Sequence, residues 1–342
     1  MTKIAILGGA GFIGCNTAFH YLQKGCKVYC FDNLSRSGVE NNLKWLESLD
    51  NKDFSFTLGS VTSFNEVESF IRKTNPDIIF NFAAQVAVTT SVADPRQDFE
   101  CNLLGSFNVL EAIRLSGKKP VTLFTSTNKV YGGMETAKVI LDKNRYCYAD
   151  FPEGISEEWP LDFHSPYGCS KGGADQYFRD YSRIYDLPIT VFRMSCIYGI
   201  HQFGNEDQGW VAHFARCALT DIPIQIYGDG MQVRDILFIN DLVNAFDIAT
   251  SNPQKSNRKI FNIGGGSKNT ISLLELIDML KSLVNHEISF AFNDWRPGDQ
   301  KIYISDISKA CKLLGWYPKI NKKQGIELLF NWMKDNINLF EK

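Results

Sequence analysis

The sequence predicts an α/β protein, a doubly wound parallel sheet carrying a second, smaller mixed α/β domain. Three observations carry this prediction. A short apolar run, Lys3–Leu7, leads into Gly8-Gly9-Ala10-Gly11-Phe12-Ile13-Gly14 and then into a segment with helical apolar spacing. Strand-like and helix-like segments go on alternating as far as Arg193, the pattern of βαβ units. Beyond Arg193 the rhythm weakens, and a chain of 342 residues is long enough for two folding units.

In order, the first strand is followed by a helix over 15–24, ended by Gly25, and a strand over 27–31 that closes at Asp32. A strand over 54–58 and a helix over 64–73 come next. They are followed by a strand over 78–83, one long helix over 98–116 and a strand over 121–126. After a loop-rich stretch, 170–185 reads as helix and 189–193 as strand. In the irregular part, 210–219, 273–283, 304–314 and 324–337 have helical spacing and 288–292 reads as strand. The expected division is residues 1–192 plus about 233–262 for the doubly wound domain, and about 193–232 plus 263–342 for the smaller one. The smaller domain is expected to close over the carboxyl ends of the sheet strands.

Composition removes several classes of function. Lys and Arg total 36 against 38 Asp and Glu, a net charge of -2, so nothing suggests the basic stripe of a nucleic-acid binder. Hydrophobic residues make up 44 % and charged residues 22 %, an ordinary globular balance rather than a disordered one. The apolar run at 78–88 is interrupted by Asn81 and Gln85, and no stretch reaches the length of a membrane span. The chain opens without a charged leader and long apolar core, so no secretory signal and a cytoplasmic location are expected. The cysteines number nine, scattered and without a CxxC pair, which suits structural thiols in a reducing compartment. Cys169 and Cys196 are expected to be small buried hydrophobes, and no metal site is expected.

Gly8, Gly11 and Gly14 lie between a strand and a helix, where absent side chains let backbone turn tightly and approach a pyrophosphate. Asp32 ends the second strand, placed to accept hydrogen bonds from ribose hydroxyls and to repel a 2′-phosphate. This favours NAD over NADP, with Arg36 nearby as the residue that keeps NADP open. The doubly wound domain is therefore expected to be an NAD-binding Rossmann domain.

Ser165-Pro166-Tyr167-Gly168-Cys169-Ser170-Lys171 carries the second signal. Tyr167 and Lys171, four residues apart, share one face of a helix. A phenol titrates near pH 10, and a neighbouring ammonium together with the positive nicotinamide favours the phenolate. The pair is an acid/base device for taking a proton from a sugar hydroxyl as hydride leaves the same carbon. Thr125-Ser126-Thr127 ends a sheet strand, where a hydroxyl can orient the reacting sugar oxygen.

With these residues in place the sequence resembles the extended short-chain dehydrogenase/reductase family, the nucleotide-sugar epimerases and dehydratases, over essentially its whole length. The resemblance implies catalytic roles for Thr127, Tyr167 and Lys171. It implies that NAD is bound by Gly8, Gly11, Phe12, Ile13, Gly14, Asp32, Asn33, Ser60, Val61, Ala83, Gln85, Asn102, Ser126, Tyr167 and Lys171, with Asn102 matching a structural Asn of the family. Ser60 stands where many relatives have Asp, and Asn81 where many have His. The segments 126–132, 162–172, 207–211 and 232–235 narrow the resemblance to enzymes that invert C2 of a CDP-linked sugar for bacterial surface polysaccharide.

For the sugar nucleotide, Arg234 and Arg296 are the candidate diphosphate ligands, because a guanidinium fork matches phosphate oxygens. Both sit in family motifs, Arg234-Asp235 and Arg296-Pro297-Gly298-Asp299. Thr127, Asn128, Gln208, Trp210 and Tyr227 complete the expected substrate set. Asn128-Lys129 after Thr127 argues against a 4,6-dehydratase, which needs further acid/base carboxylates there. A UDP-sugar 4-epimerase and a non-enzymatic NAD-binding sensor remain the alternatives. By analogy with relatives, a dimer or tetramer is expected.

Overall fold

The computed structural model describes residues 1–284, 286–296 and 299–340. It separates into two compact units. The first comprises Met1–Val130, Phe163–Arg193 and Val243–Phe261; the second comprises Tyr131–Asp162, Met194–Leu242 and Asn262–Lys342. The segment 131–162, expected in the first unit, belongs to the second. Its hydrogen bonds explain this, since Tyr131 donates to Asn262 at 2.7 Å and Tyr148 to the Ile302 carbonyl at 3.0 Å. Residues 233–242 also belong to the second unit, where Val233–Phe238 is paired into a sheet.

In chain order the strands are β1 Lys3–Leu7, β2 Lys27–Asp32, β3 Phe54–Leu58, β4 Ile78–Asn81, β5 Val121–Thr127, β6 Val139–Asp142 and β7 Arg145–Tyr148. They continue with β8 Ile189–Met194, β9 Cys196–Tyr198, β10 Ile224–Tyr227, β11 Val233–Phe238, β12 Ile260–Ile263, β13 Thr270–Ser272, β14 Phe290–Asn293 and β15 Ile302–Tyr303. The main sheet has seven strands in the order β12-β8-β5-β4-β1-β2-β3. Pairings among β1 to β5 are parallel, as right-handed βαβ crossovers require. Strand order reverses between β1 and β4, and in such sheets ligands bind outside the carboxyl ends at that point. The doubly wound fold read from the sequence is the fold observed.

The core of the first unit forms where sheet residues with no exposed surface, such as Ile4, Leu7, Ile79 and Leu123, meet the covering helices. On one face Phe124 stacks flat on Phe178 of helix Ser165–Ile184, ring centroids 4.2 Å apart, and this stack fixes that helix against β5. On the same helix Asp175 receives both arms of the Arg193 guanidinium from β8, at 2.9 and 3.0 Å, with both side chains buried.

Several elements depart from the expected bounds. The stretch read as one helix over 98–116 is three pieces: Pro95–Phe99, a π-helical turn Glu100–Leu104, and Gly105–Leu115. Periodicity analysis misses such a turn because it widens the winding locally while leaving the pattern nearly helical. The helix over 165–184 begins five residues before the 170–185 stretch and takes in the turn expected to carry Tyr167 and Lys171, with Pro166 in its first turn, where a missing N–H costs nothing. Residues 304–314 are helical only over Ser308–Leu314, because the Ile304 carbonyl and the Asp306 N–H are taken by the backbone of Ile155. Strand 288–292 shifts to Phe290–Asn293, and 78–83 ends at Asn81. The helix Val39–Ser48 and the β6–β7 hairpin had no counterpart in the sequence reading.

The second unit is built from smaller sheets: β13-β11-β15 with β9 on β11, the parallel pair β10 and β14, and the hairpin β6–β7. Helix Leu273–Lys281 opens with a capping box of Ser272 and Glu275. No described helix is long and apolar enough to cross a membrane.

Candidate active site

The turn after β1 is shaped by glycines. Gly8 has φ +81°, and a Cβ there would sit 2.7 Å from the Ala83 amide nitrogen. A Cβ on Gly14 would lie 2.1 Å from the Gly8 carbonyl oxygen, so the first helical turn can press on the loop only without one. Helix Phe12–Gln23 follows, and no side chain caps its start at Gly11. The first-turn N–H groups therefore keep their capacity for an anion, aided by the positive end of the helix dipole. Asp32, at the end of β2, accepts the Ala10 N–H at 3.0 Å and the Leu34 N–H at 2.9 Å. Burial raises its pKa above the usual carboxylate range while these N–H groups hold it down. This cradle fits the diphosphate and ribose of a dinucleotide.

Asn33 accepts the Ser35 N–H, and Ser60 shares a 2.8 Å hydrogen bond with Thr62 while its own N–H goes to Glu66. Val61 is buried, and its carbonyl receives the Asn108 amide. Arg36 is half-buried, and burial lowers the pKa of its guanidinium.

Tyr167 and Lys171 lie in the first turns of helix Ser165–Ile184. The entry to that helix is bent at Ser165, a non-glycine residue at φ +64°, whose hydroxyl accepts the Gly168 N–H. Tyr167 is 8 % exposed and Lys171 3 %. The Tyr167 N–H donates to the Ser91 hydroxyl at 3.2 Å, tying the helix start to helix Val88–Ala93. Thr127, buried at the end of β5, hydrogen-bonds the phenol, accepts the Lys129 N–H and contacts Asn128. The three expected catalytic side chains are thus brought to the carboxyl end of β5.

The electrostatics differ from the sequence expectation. Burial pushes the Tyr167 phenol up to about 12; the Thr127 hydroxyl pulls it down and the Asp98 charge pushes it further up. Lys171 does not hydrogen-bond the phenol. Its ammonium instead donates to the Thr125 carbonyl at 2.7 Å and sits 4.4 Å over the Phe124 ring, and burial draws its pKa down to about 8. In the protein alone, desolvation outweighs the expected lowering of Tyr167 by the lysine.

Asn102 sits on the π-helical turn, fully buried. It accepts the Gln85 N–H at 2.8 Å and donates to the Gln85 carbonyl at 3.0 Å, clamping the loop that leaves β4 next to Ala83. Asn81 and Ser126, at the ends of β4 and β5, are buried with side-chain polar atoms that have no protein partner. Sequence reading missed Asp98 and Ser91. Neither lies in a motif; Asp98 is buried from the short helix Pro95–Phe99 and Ser91 from helix Val88–Ala93.

In the second unit the Arg296 guanidinium lies 3.7 Å over the Tyr227 ring and pairs with Glu206 at 3.1 Å and Asp207 at 3.2 Å. The Tyr227 hydroxyl also donates to Glu206. Trp210 opens helix Trp210–Thr220, its indole N–H buried without a partner, and the Gln208 N–H donates to Asn205. Arg234 has different partners, donating to the carbonyls of Val233 and Gln300. Asp235 does not pair with Arg234. It is fully buried, bound by the Ser195 hydroxyl and the Gly266 N–H. Pro297 and Gly298 of the Arg296 motif lie outside the described residues.

None of the nine cysteines, all of them described, is joined in a disulfide. Cys169, expected to be buried, is exposed, because two residues on from Tyr167 the helix has turned it away from β5; Cys196 is only half-buried. Among the described residues no cluster of three or more His, Cys, Asp or Glu side chains is arranged for a metal ion.

Fold and site together define a dinucleotide-type sheet bearing a Thr–Tyr–Lys cluster at a strand end. Residues 5–329 match the family described as GDP-mannose 4,6 dehydratase, and the chain belongs to that family, one of the extended short-chain dehydrogenase/reductases. It is 43 % identical to the CDP-paratose 2-epimerase of Salmonella typhi over 96 % of this chain and 98 % of that protein. It is 30 % identical to a UDP-glucuronate 4-epimerase of Thermodesulfobacterium geofontis, over 98 % of this chain and 97 % of the relative. Among solved structures, UDP-glucuronic acid 4-epimerase from Bacillus cereus, in complex with UDP-glucuronic acid and NAD, superimposes with a TM-score of 0.84 at 26 % identity. That match covers 98 % of this chain and 100 % of the other.

Proposed function

We propose that this protein is an NAD-dependent nucleotide-sugar epimerase that interconverts CDP-paratose and CDP-tyvelose by oxidation and re-reduction at C2. The observation that carries the chemistry is the convergence of Thr127, Tyr167 and Lys171 in a buried cluster at the end of β5. The 43 % identity to a CDP-paratose 2-epimerase, against 27–31 % for 4-epimerases, supports the sugar and the carbon.

NAD is held by Gly8, Gly11, Gly14 and the uncapped start of helix Phe12–Gln23, with Asp32 on a ribose. Bound there, NAD supplies a reversible hydride acceptor. Tyr167 takes the proton of the C2 hydroxyl and returns it, Thr127 holds that oxygen, and Lys171 keeps a positive charge beside the phenolate. The keto-sugar is re-reduced on its other face, and the carbon is inverted. Arg296, packed on Tyr227, is the diphosphate ligand we favour; an incoming diphosphate would exchange for Glu206 and Asp207. The first unit acts as the NAD-binding domain and the second as the sugar-nucleotide domain, in a cytoplasmic dimer or tetramer.

Incubation with CDP-paratose, CDP-tyvelose and UDP-glucose, followed by NMR of the products, tests the reading. Interconversion of the two CDP-sugars alone is expected. Conversion of UDP-glucose to its C4 epimer with the CDP-sugars untouched would instead make it a 4-epimerase. Gly14→Ala is expected to purify without NAD and to lose about 1–3 kcal/mol of stability, because its Cβ meets the Gly8 carbonyl and Gly9 backbone. Cofactor content and thermal unfolding read the two effects.

A further inference from the structure

Asp98 lies in the short helix Pro95–Phe99, is 1 % exposed, and has three side-chain donors. One carboxylate oxygen receives Asn102 at 2.9 Å and Gln85 at 3.1 Å; the other receives the Ser170 hydroxyl. Both oxygens accept, as an ionised carboxylate does. Ser170 is the residue before Lys171, and Asn102 and Gln85 form the clamp on the loop leaving β4. Asp98 therefore joins three segments: the π-turn, the β4 loop and the catalytic helix.

The charges around the Tyr–Lys pair can be followed element by element. Tyr167 meets Thr127 from β5 and Asp98 from the short helix. Lys171, its pKa lowered mainly by burial, meets Cys101 from the π-turn first, then Asp175 from its own helix and Asp98. Asp175 is bound by Arg193, and burial holds the Cys101 thiol in its neutral form by raising its pKa. Asp98 is the carboxylate that acts on both members of the pair, whereas Asp175 acts on Lys171 alone.

We propose that Asp98 is a positioning residue whose buried charge keeps Lys171 in its ammonium form and, through Ser170, Asn102 and Gln85, holds the catalytic helix against the loop leaving β4. The proposal rests on the reading of Tyr167 and Lys171 as the acid/base pair. The charge works in opposite directions on the two partners. It favours the lysine cation and disfavours the phenolate, so it sets the pH window in which both are in their working forms.

The test is NMR titration of the protein as purified, with ¹³Cζ-tyrosine and ¹³Cε-lysine labels assigned by Tyr167→Phe and Lys171→Met. Asp98→Asn removes the charge and is expected to lower both midpoints by about one pH unit. Ser170→Ala removes the hydroxyl that bonds Asp98, Asn102 and the Tyr167 carbonyl, keeps the charge, and should leave both midpoints in place. Unmoved midpoints in Asp98→Asn, or equal movement in Ser170→Ala, would overturn the proposal. If Asp98→Asn does not fold, the unaltered protein decides: on acidification the Lys171 resonance must follow the Asp98 ¹³Cγ titration with the same midpoint, and independence of the two refutes the link. None of these readouts uses a sugar nucleotide, so they stand or fall separately from the substrate assignment. With the substrate in hand, both limbs of the kcat/KM profile should move to lower pH in Asp98→Asn, whereas a merely structural role would lower the rate without moving them.

Discussion

Replacing Tyr167 with Phe is expected to reduce turnover by about 10²–10⁴-fold or more while leaving NAD bound and the fold intact. The variant removes one oxygen and keeps the ring, which is almost wholly buried at the helix start. What is lost is the proton acceptor and its hydrogen bond with Thr127; the stability cost of such a bond is about 1 kcal/mol. The glycine turn and Asp32 do not depend on the phenol, so cofactor content should match the unaltered protein. Turnover measured beside extracted NAD separates the two. Near-normal activity would place the base on another residue, and loss of NAD would make Tyr167 a binding residue first.

The second large effect is on stability. Asp175→Ala leaves the Arg193 guanidinium buried without its carboxylate, and breaking such a pair from one side costs about 3–5 kcal/mol. For a chain of this size that corresponds to a fall in melting temperature of roughly 4–7 °C. The double variant Asp175→Leu, Arg193→Met should recover most of the loss, because two apolar side chains need no partner. Thermal unfolding of the three proteins checks this. If the double variant is as unstable as the single one, the pair is holding the helix rather than merely satisfying two charges. The site also feels the change, since Asp175 lies one turn beyond Lys171 and favours its ammonium form.

The parts of the molecule that were legible in the sequence are those where one residue type has one physical use. Gly8 and Gly14 announced a backbone approach that no Cβ permits, and the Tyr167–Lys171 spacing placed both side chains on one helix face. The alternation of apolar runs gave the sheet, because strands buried on both faces leave little room for polar residues. Three features stayed hidden for stated reasons. The π-turn at Glu100–Leu104 keeps a nearly helical pattern, so Asn102 was visible as a motif residue while the inward turn of Asp98 was not. The grouping of 131–162 with the second unit depends on long-range bonds such as Tyr131 to Asn262, which local periodicity does not carry. The electrostatics of Tyr167 depended on burial, and a spacing argument counts neighbours without counting lost water.

That same burial sharpens the catalytic account. With the phenol pushed up to about 12 and the lysine drawn down to about 8, the bare site is set against the charge separation that proton abstraction needs. On the proposed reading, the positive nicotinamide of bound NAD would favour the phenolate.

The central claim, oxidation and re-reduction at C2, is tested most directly with CDP-paratose carrying deuterium at C2, incubated with the protein in ordinary water. The account predicts CDP-tyvelose with the deuterium retained at C2, because the hydride removed from that carbon is returned to it. Loss of the label to solvent in the inverted product would contradict hydride return, and inversion at another carbon with the C2 label untouched would contradict the site of reaction.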